Sequence, residues 1–236
     1  RDHDFVGRLK LREGSLQTTL IADPETGTFA LTVVPPLTSQ TRPTPRDLVI
    51  VLDRSGSMRG FPMTAARRAA ARMVESLTAL DRFALIAFDN SCEMLEPHLI
   101  PANARNQQRA LEFLIGLEAR GGTQAHTAIV RALRMLSEES SAERTILFVT
   151  DGAIGNDSEI LARASGGVRI STVGIGNTSR AGILHSIAKA SGGLSTMIAD
   201  QSTLEEALRD LHKRMGRPHW TSLAVAGAEY GDNAPR

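Results

Sequence analysis

From residue 47 onward, short apolar segments rich in β-branched residues alternate with longer segments of helical character. The apolar segments are LVIVLD (48–53), FALIAFD (83–89), TILFVTD (145–151), VRISTVGIG (168–176) and LSTMIA (194–199). Helices are predicted at 63–80, 106–117, 125–137, 159–164, 179–190 and 203–215, with Ser202 as the N-cap of the last one. This alternation is typical of an α/β fold: a doubly wound, mostly parallel central sheet with helices on both faces.

The two ends of the chain have a different, β-rich pattern. Segments such as LQTTLIA and TFALTVVPP flank the turn at 23–27, and HWTSLAVAG (219–227) resembles one more strand. Prolines in TSQTRPTPR (38–46) indicate an extended linker before the first parallel strand. We therefore predict an N-terminal β-rich flank at 1–46, an α/β domain at 47–216 and a C-terminal β flank at 217–236, with the flanks forming a small second unit.

Composition excludes several classes of function. With 27 Lys and Arg against 26 Asp and Glu, the net charge of +1 gives no general reason to expect nucleic acid or an anionic membrane as the partner. The single cysteine, Cys92, excludes an intrachain disulfide framework and a multi-cysteine metal site. No apolar stretch approaches the roughly 20 residues that cross a bilayer. The start of the chain lacks an initiator Met and an apolar signal core, so we expect an excerpt of something longer.

Polar side chains follow the strands at the edge where an open α/β sheet binds its ligands. Asp53 ends the first parallel strand and is followed by Ser55 and Ser57, while Asp151 ends a later strand. Thr123 follows two glycines in a loop that enters a helix. Each of these residues alone is a common turn former or cap. Together they place two carboxylates and three hydroxyls, remote in sequence, at one edge of the sheet.

Such a set of oxygen donors suits a hard divalent cation. Mg²⁺ favours octahedral oxygen coordination and keeps several waters, and Mn²⁺ or Ca²⁺ also accept oxygen ligands. Two carboxylates neutralise the ion, and the neutral hydroxyls leave it attractive to one more carboxylate. We therefore predict a metal site with open positions for water or for a partner's Asp or Glu.

The motifs DRSGSM (53–58), GGT (121–123) and TDG (150–152) resemble the metal-ion-dependent adhesion site of von Willebrand factor A domains. The segments DRFALIAF (81–88) and VGIGN (173–177) extend the resemblance over the α/β portion. The flanks, in DFVGRLKL (4–11) and GTFALTVVPP (27–36), are similar to inter-alpha-trypsin inhibitor heavy-chain-like proteins. The resemblance implies a Rossmann-like fold, an extracellular or cell-surface location, and metal ligation, directly or through water, by Asp53, Ser55, Ser57, Thr123 and Asp151.

The function that follows is divalent-cation-dependent protein binding without catalysis, in which a partner's carboxylate completes the metal shell. Loop position predicts the side chains of a partner-binding rim: Arg54, Met58, Arg59, Phe61, Gln124, His126, Asn156 and Asp157. Two alternatives remain open. Asp53 could serve a metal-dependent hydrolase or phosphotransferase, or the metal could be structural, in a scaffold domain of a larger protein.

Other catalytic motifs are absent from the sequence or incomplete. VGIGNTSRAG (173–182) has Ser179 where a dinucleotide-binding motif needs glycine, and no P-loop or G-x-S-x-G motif occurs. A phosphotransferase of the haloacid-dehalogenase kind needs a second aspartate where Ser55 stands. We expect His126 to be a rim residue and Cys92 a small buried residue.

Overall fold

The computed structural model describes residues 17–22, 29–34, 44–137, 140–152, 167–176 and 181–215. These residues belong to two compact units. In the first unit, strands β1 (Gln17–Ala22) and β2 (Phe29–Val34) pair antiparallel, with Gln17 opposite Val34 and Ala22 opposite Phe29. The strand predicted at 219–227 and the helix predicted at 159–164 lie outside the described residues, and the predicted domain boundaries stay a prediction.

The second unit contains the α/β pattern. Its described strands are β3 (Arg46–Asp53), β4 (Arg82–Phe88), β5 (Cys92–Met94), β6 (Ile100–Pro101), β7 (Glu143–Thr150), β8 (Arg169–Ile175) and β9 (Ser195–Ile198). Its described helices are α1 (Phe61–Glu75), α2 (Ala104–Gly116), α3 (Ala125–Met135), α4 (Ala181–Ser191) and α5 (Leu204–Arg214), and a short 3-10 turn occupies Gly56–Met58.

The sheet has the order β5-β4-β3-β7-β8-β9, and β6 also pairs with β4. Strands β3, β4, β7, β8 and β9 are parallel, whereas β5 and β6 run antiparallel to β4. The chain leaves β3 for β4 on one side and later returns to β7 on the other side. The carboxyl end of β3 therefore lies at the switch point where open α/β sheets bind ligands. The predicted fold class is confirmed.

Two apolar layers cover the sheet, one on each face. Leu48, Ile50 and Leu52 of β3 point into a cluster with residues of α1, α2 and α5. The intervening Val49 and Val51 point into a second cluster with residues of α3 and α4. This alternation follows from the two-residue period of a strand, and burial on both faces explains the continuous apolar run of LVIVL.

The predicted end of α1 and the predicted N-cap of α5 differ from the structure, while the other described helix ends lie within two residues of their predicted positions. Helix α1 ends at Glu75 rather than at residue 80, because the Asp81 carboxylate accepts the backbone N–H of Thr78 (2.8 Å) and holds a turn there. The predicted N-cap Ser202 is wrong: the N-cap of α5 is Thr203, and the Asp200 carboxylate accepts the N–H groups of both residues. In the described ranges, no helix has the length and apolar character needed to cross a membrane.

Candidate metal site

The side chain of Asp53 lies fully buried at the carboxyl end of β3. Its Oδ1 accepts a hydrogen bond from the backbone N–H of Ser55 (2.8 Å), and its Oδ2 accepts one from Thr150 Oγ1 (2.7 Å). Thr150 Oγ1 in turn accepts the backbone N–H of Gly152 (3.1 Å). Each carboxylate oxygen has two lone pairs, of which each of these contacts uses one. The contacts fix the orientation of the carboxylate from two neighbouring strands.

The two serines that follow Asp53 direct their hydroxyls to one place. Ser55 Oγ and Ser57 Oγ lie 3.1 Å apart. The 3-10 turn Gly56–Met58 produces this arrangement, closed by a hydrogen bond from the Met58 N–H to the Ser55 carbonyl (3.0 Å). Ser55 is buried while Ser57 is exposed, so the pair spans the boundary between the core and solvent.

Backbone hydrogen bonds attach the loop that carries Thr123 to this turn. The Gly56 N–H donates to the carbonyl of Gly121 (3.0 Å), and the Arg120 N–H donates to the carbonyl of Arg54 (2.7 Å). Gly121 has φ of +68°, a left-handed conformation that favours glycine. Thr123 is partly buried two residues further along. The loop between α2 and α3 is thus held beside the carboxyl end of β3.

The site concentrates negative charge. Burial raises the pKa of Asp53 above its ordinary value, hydrogen bonds from Ser55 and Thr150 oppose that rise, and the charge of Asp151 adds to it. Asp151 is partly buried at the end of β7, next to β3 in the sheet. A divalent cation between these carboxylates would compensate the repulsion.

The donor set fits a hard cation such as Mg²⁺. The described ranges contain no group of three or more His, Cys, Asp and Glu side chains arranged to hold a metal ion. The candidate set has two carboxylates, and serine and threonine hydroxyls supply its other donors. All are oxygen donors, which Mg²⁺, Mn²⁺ and Ca²⁺ accept.

Two residues of the predicted rim are buried. Arg54 is 3% exposed and Met58 is 0% exposed, so their expected role at a partner-binding rim is wrong. Arg59 and Gln124 are exposed, and Phe61 and His126 are partly buried, as a rim requires. The other two rim candidates, Asn156 and Asp157, lie outside the described residues.

Arg54 is buried because it belongs to an ion-pair cluster beneath the site. The carboxylate oxygen Oδ2 of Asp89 accepts hydrogen bonds from Arg54 Nε (3.1 Å) and from Arg120 Nε (3.0 Å). Arg54 also contacts Glu93, and its backbone N–H donates to the carbonyl of Phe88 (2.9 Å). The cluster thus connects the turn after β3, the end of β4 and the loop before α3.

The sequence motifs did not assign a role to Asp89 or to Thr150. Asp89 ends the segment FALIAFD in the way that Asp53 and Asp151 end theirs, so the same strand-end signal marks it. Thr150 stands inside the TDG motif. Cys92 is partly buried, and burial raises the pKa of its thiol, which disfavours a reactive thiolate.

Proteins of known sequence with similar segments include inter-alpha-trypsin inhibitor heavy chains. The human heavy chain H4 is 29% identical over 205 residues, which cover 80% of this chain and 22% of the relative. A von Willebrand factor A domain-containing protein of Dictyostelium discoideum is 29% identical over 185 residues, covering 76% of this chain and 20% of the relative. The chain is homologous to these proteins and spans about a fifth of their length.

Solved structures share the fold. A von Willebrand factor type A protein from Catenulispora acidiphila superposes with a TM-score of 0.67 at 26% identity, covering 80% of this chain and 45% of that one. The pilus adhesin SpaC from Lactobacillus rhamnosus GG superposes with a TM-score of 0.62 at 16% identity, covering 84% of this chain and 33% of that one. A family model described as the von Willebrand factor type A domain matches residues 46–197. The chain therefore belongs to the von Willebrand factor type A domain family.

Proposed function

We propose that this chain binds a protein partner through a divalent cation held by Asp53, Ser55, Ser57, Thr123 and Asp151. Domains of this family generally mediate metal-dependent adhesion between proteins. The cation would supply a Lewis-acidic position that an Asp or Glu of the partner fills. The chain acts as a binding module without turnover, at an extracellular or cell-surface location.

The observation that carries the proposal is the arrangement around Asp53. Its carboxylate is fully buried, accepts hydrogen bonds from Ser55 and Thr150, and is close enough to Asp151 for that charge to raise its pKa. Burial of one carboxylate beside a second, partly buried one at a ligand-binding edge is costly unless a cation compensates them. The Ser55 and Ser57 hydroxyls, 3.1 Å apart, supply neutral oxygens beside them.

Partner selection then depends on side chains around the metal. Arg59 and Gln124 are exposed, and Phe61 and His126 are partly exposed near the same loops. Phe61 offers an apolar contact, while Arg59 attracts a second acidic group on the partner. Asn156 and Asp157 remain proposed members of this rim from their sequence position.

Metal affinity tests the donor set. Isothermal titration with Mg²⁺ and Mn²⁺ should give one site in the unmodified chain and none in Asp53→Ala. Thr150→Val, which removes the donor to Asp53 Oδ2, should weaken metal affinity about 10- to 100-fold, as loss of a hydrogen bond to a metal ligand commonly does. Thr172→Val is the matched control, because Thr172 is a buried threonine of β8 that bonds Leu184 and Ser195 instead.

The open coordination position is tested with bound Mn²⁺. The bound ion should increase the relaxation rate of water protons. A short aspartate-containing peptide should reduce this increase, whereas the asparagine analogue should have no effect. Absence of metal binding in the unmodified chain contradicts the proposal. Metal-dependent turnover of an aryl phosphate or ester that Asp53→Asn abolishes would instead identify an enzyme.

A further inference from the structure

A groove of about 830 Å³ lies between helix α3 and the edge of the sheet formed by β5 and the segment that leads to β6. Helix α3 contributes one wall, and Met94 and residues 97–99 contribute the other. Both apolar and basic side chains line it, and no Asp or Glu is among the described residues that do so. The members used below are Met94, Leu99, Val130, Arg131, Arg134 and Met135.

The positive charge of this groove comes mainly from helix α3. Arg131 and Arg134 are three residues apart, so they project from the same side of the helix, and both are exposed. Neither forms an ion pair with a carboxylate in the part of the chain that the structure describes. A third arginine of the groove, Arg82, is different: it donates two hydrogen bonds to the buried Asp47 carboxylate (2.8 and 2.7 Å). Arg131 and Arg134 are therefore the cations available to a ligand.

Apolar side chains lie on either side of these cations. Val130 and Met135 flank the two arginines on α3, and Met94 and Leu99 face them from the sheet edge. All four are partly buried, so each presents only part of its apolar surface. The groove thus offers two kinds of contact along one line, ionic and apolar.

We propose that this groove binds an acidic segment of a partner protein in which carboxylates and apolar side chains alternate. The α3 wall between residues 126 and 135 is about 13 Å long, which matches about four residues of extended peptide. Because successive side chains of an extended peptide point in opposite directions, the carboxylates pair with Arg131 and Arg134 on the α3 wall and the intervening side chains cover Met94 and Leu99 on the other. Nucleic acid and sulfated sugars also carry negative charge, but they have no aliphatic side chains to cover the methionines and the leucine.

This inference goes beyond the proposed metal-dependent binding, because none of the residues that line the groove is a candidate metal ligand. His126 lines the groove and follows Thr123 by three residues, so the groove starts near the metal site. One partner that supplies a carboxylate to the metal can continue into the groove. The two contacts remain separable, since chelation removes the first and leaves the second.

The test uses the 236-residue chain and a fluorescent hexapeptide of alternating glutamate and leucine, with EDTA present throughout. Fluorescence anisotropy should show saturable binding at low ionic strength that weakens as salt is added. The double variant Arg131→Glu, Arg134→Glu should bind the peptide at least about tenfold more weakly, since both attractive charges become repulsive. A peptide with serine in place of leucine should also bind more weakly, because the apolar contacts are lost.

The control is the double variant Arg105→Glu, Arg209→Glu, which makes the same change in net charge at two exposed arginines outside the groove. It should bind the peptide with the affinity of the unmodified chain. Asp53→Ala should also bind the peptide normally, which separates this result from failure of the metal site. Circular dichroism verifies that every variant is folded. The proposal would be overturned if both double variants lost the same affinity for the peptide, or if the unmodified chain showed no saturable binding. Tighter binding of single-stranded DNA or heparin at Arg131 and Arg134 would also overturn it.

Discussion

Asp89 and Asp53 end neighbouring parallel strands, yet their carboxylates have opposite surroundings. Burial raises the pKa of Asp53, and the nearby Asp151 reinforces the rise. Burial acts in the same direction on Asp89, but hydrogen bonds from Ser91 and Arg120 and the charge of Arg54 outweigh it and lower the pKa to about 2. Asp89 is therefore already compensated by protein cations, while Asp53 is the carboxylate that still favours a cation.

The depressed pKa of Asp89 predicts a specific loss of stability in acid. A carboxyl group whose folded pKa is below its unfolded value stabilises the fold fully above the unfolded value, and the contribution disappears as pH falls through the folded pKa. Asp89→Asn should lower the free energy of unfolding near neutral pH. Its difference from the unmodified chain should shrink by about 2 kcal/mol between pH 5 and pH 2, which is most of the stabilisation that the lowered pKa represents. Urea unfolding across this pH range measures the difference, and parallel pH profiles of the two proteins would contradict the prediction.

The spacing of residues in the sequence was sufficient to predict where some residues of the site lie and insufficient for others. Asp53, Ser55 and Ser57 lie within a single turn of the chain. Their closeness in the structure can therefore be predicted from their closeness in the sequence. Burial of Arg54 depends on Asp89 and Glu93, which are 35 and 39 residues away. Its neighbours in sequence, a carboxylate and a serine, give no sign of this, and an arginine in a loop is ordinarily exposed. The rim was therefore predicted wrongly at Arg54, where a long-range ion pair decides the position of the side chain.

Among secondary-structure elements, the parallel strands were predicted to within one or two residues, because each is an apolar run bounded by polar residues. Strands β5 and β6 were missed, since they contain three and two residues and have too few positions to show an alternating pattern. The end of α1 was missed for another reason. Residues 76–80 have helical character, but the Asp81 side chain takes the Thr78 N–H away from helical pairing. The periodicity of apolar residues reveals neither a very short strand nor a turn that a nearby side chain holds.

The connection between α4 and β9 contains two glycines, and one of them leads to a prediction about stability. Gly192 has φ of +70° and Gly193 donates its N–H to the Ala188 carbonyl (2.8 Å), so this glycine pair ends α4. A Cβ at position 193 would lie 2.2 Å from the backbone oxygen of Ile170 on β8. Gly193→Ala should therefore lower the free energy of unfolding by about 2 kcal/mol, as overpacking against a rigid backbone does.

Gly182→Ala is the matched control for this prediction. It changes another glycine to alanine close by, in the first turn of α4, where a Cβ meets no atom within 4 Å. This control should be neutral or should stabilise the protein by about 0.5 kcal/mol, because alanine restricts the unfolded chain. Chemical denaturation measures both variants. An equal effect of the two changes would show that contact with Ile170 is not the cause.

At the scale of the second unit, the apolar layers and the candidate metal site make opposite contributions to stability. The core holds β3 rigidly between two apolar clusters, so the carboxyl end of the strand has a fixed position. That fixed end carries the buried Asp53, and Asp151 increases the cost of ionising it. Functional sites commonly keep such locally unfavourable arrangements because the ligand resolves them.

Metal binding should consequently increase the stability of the fold. A ligand that binds only the folded state stabilises it by an amount that grows with concentration, about 2.7 kcal/mol at one hundred times the dissociation constant. Added Mg²⁺ should therefore raise the unfolding temperature of the unmodified chain. Asp53→Asn should gain nothing from Mg²⁺, and without metal it should be at least as stable as the unmodified chain, because it removes a charge that burial and Asp151 both disfavour. Differential scanning calorimetry measures the unfolding temperature of both proteins, each with Mg²⁺ and with EDTA. If the metal-free Asp53→Asn variant unfolds at a lower temperature than the metal-free unmodified chain, the Asp53 carboxylate stabilises the fold through Ser55 and Thr150 rather than straining it.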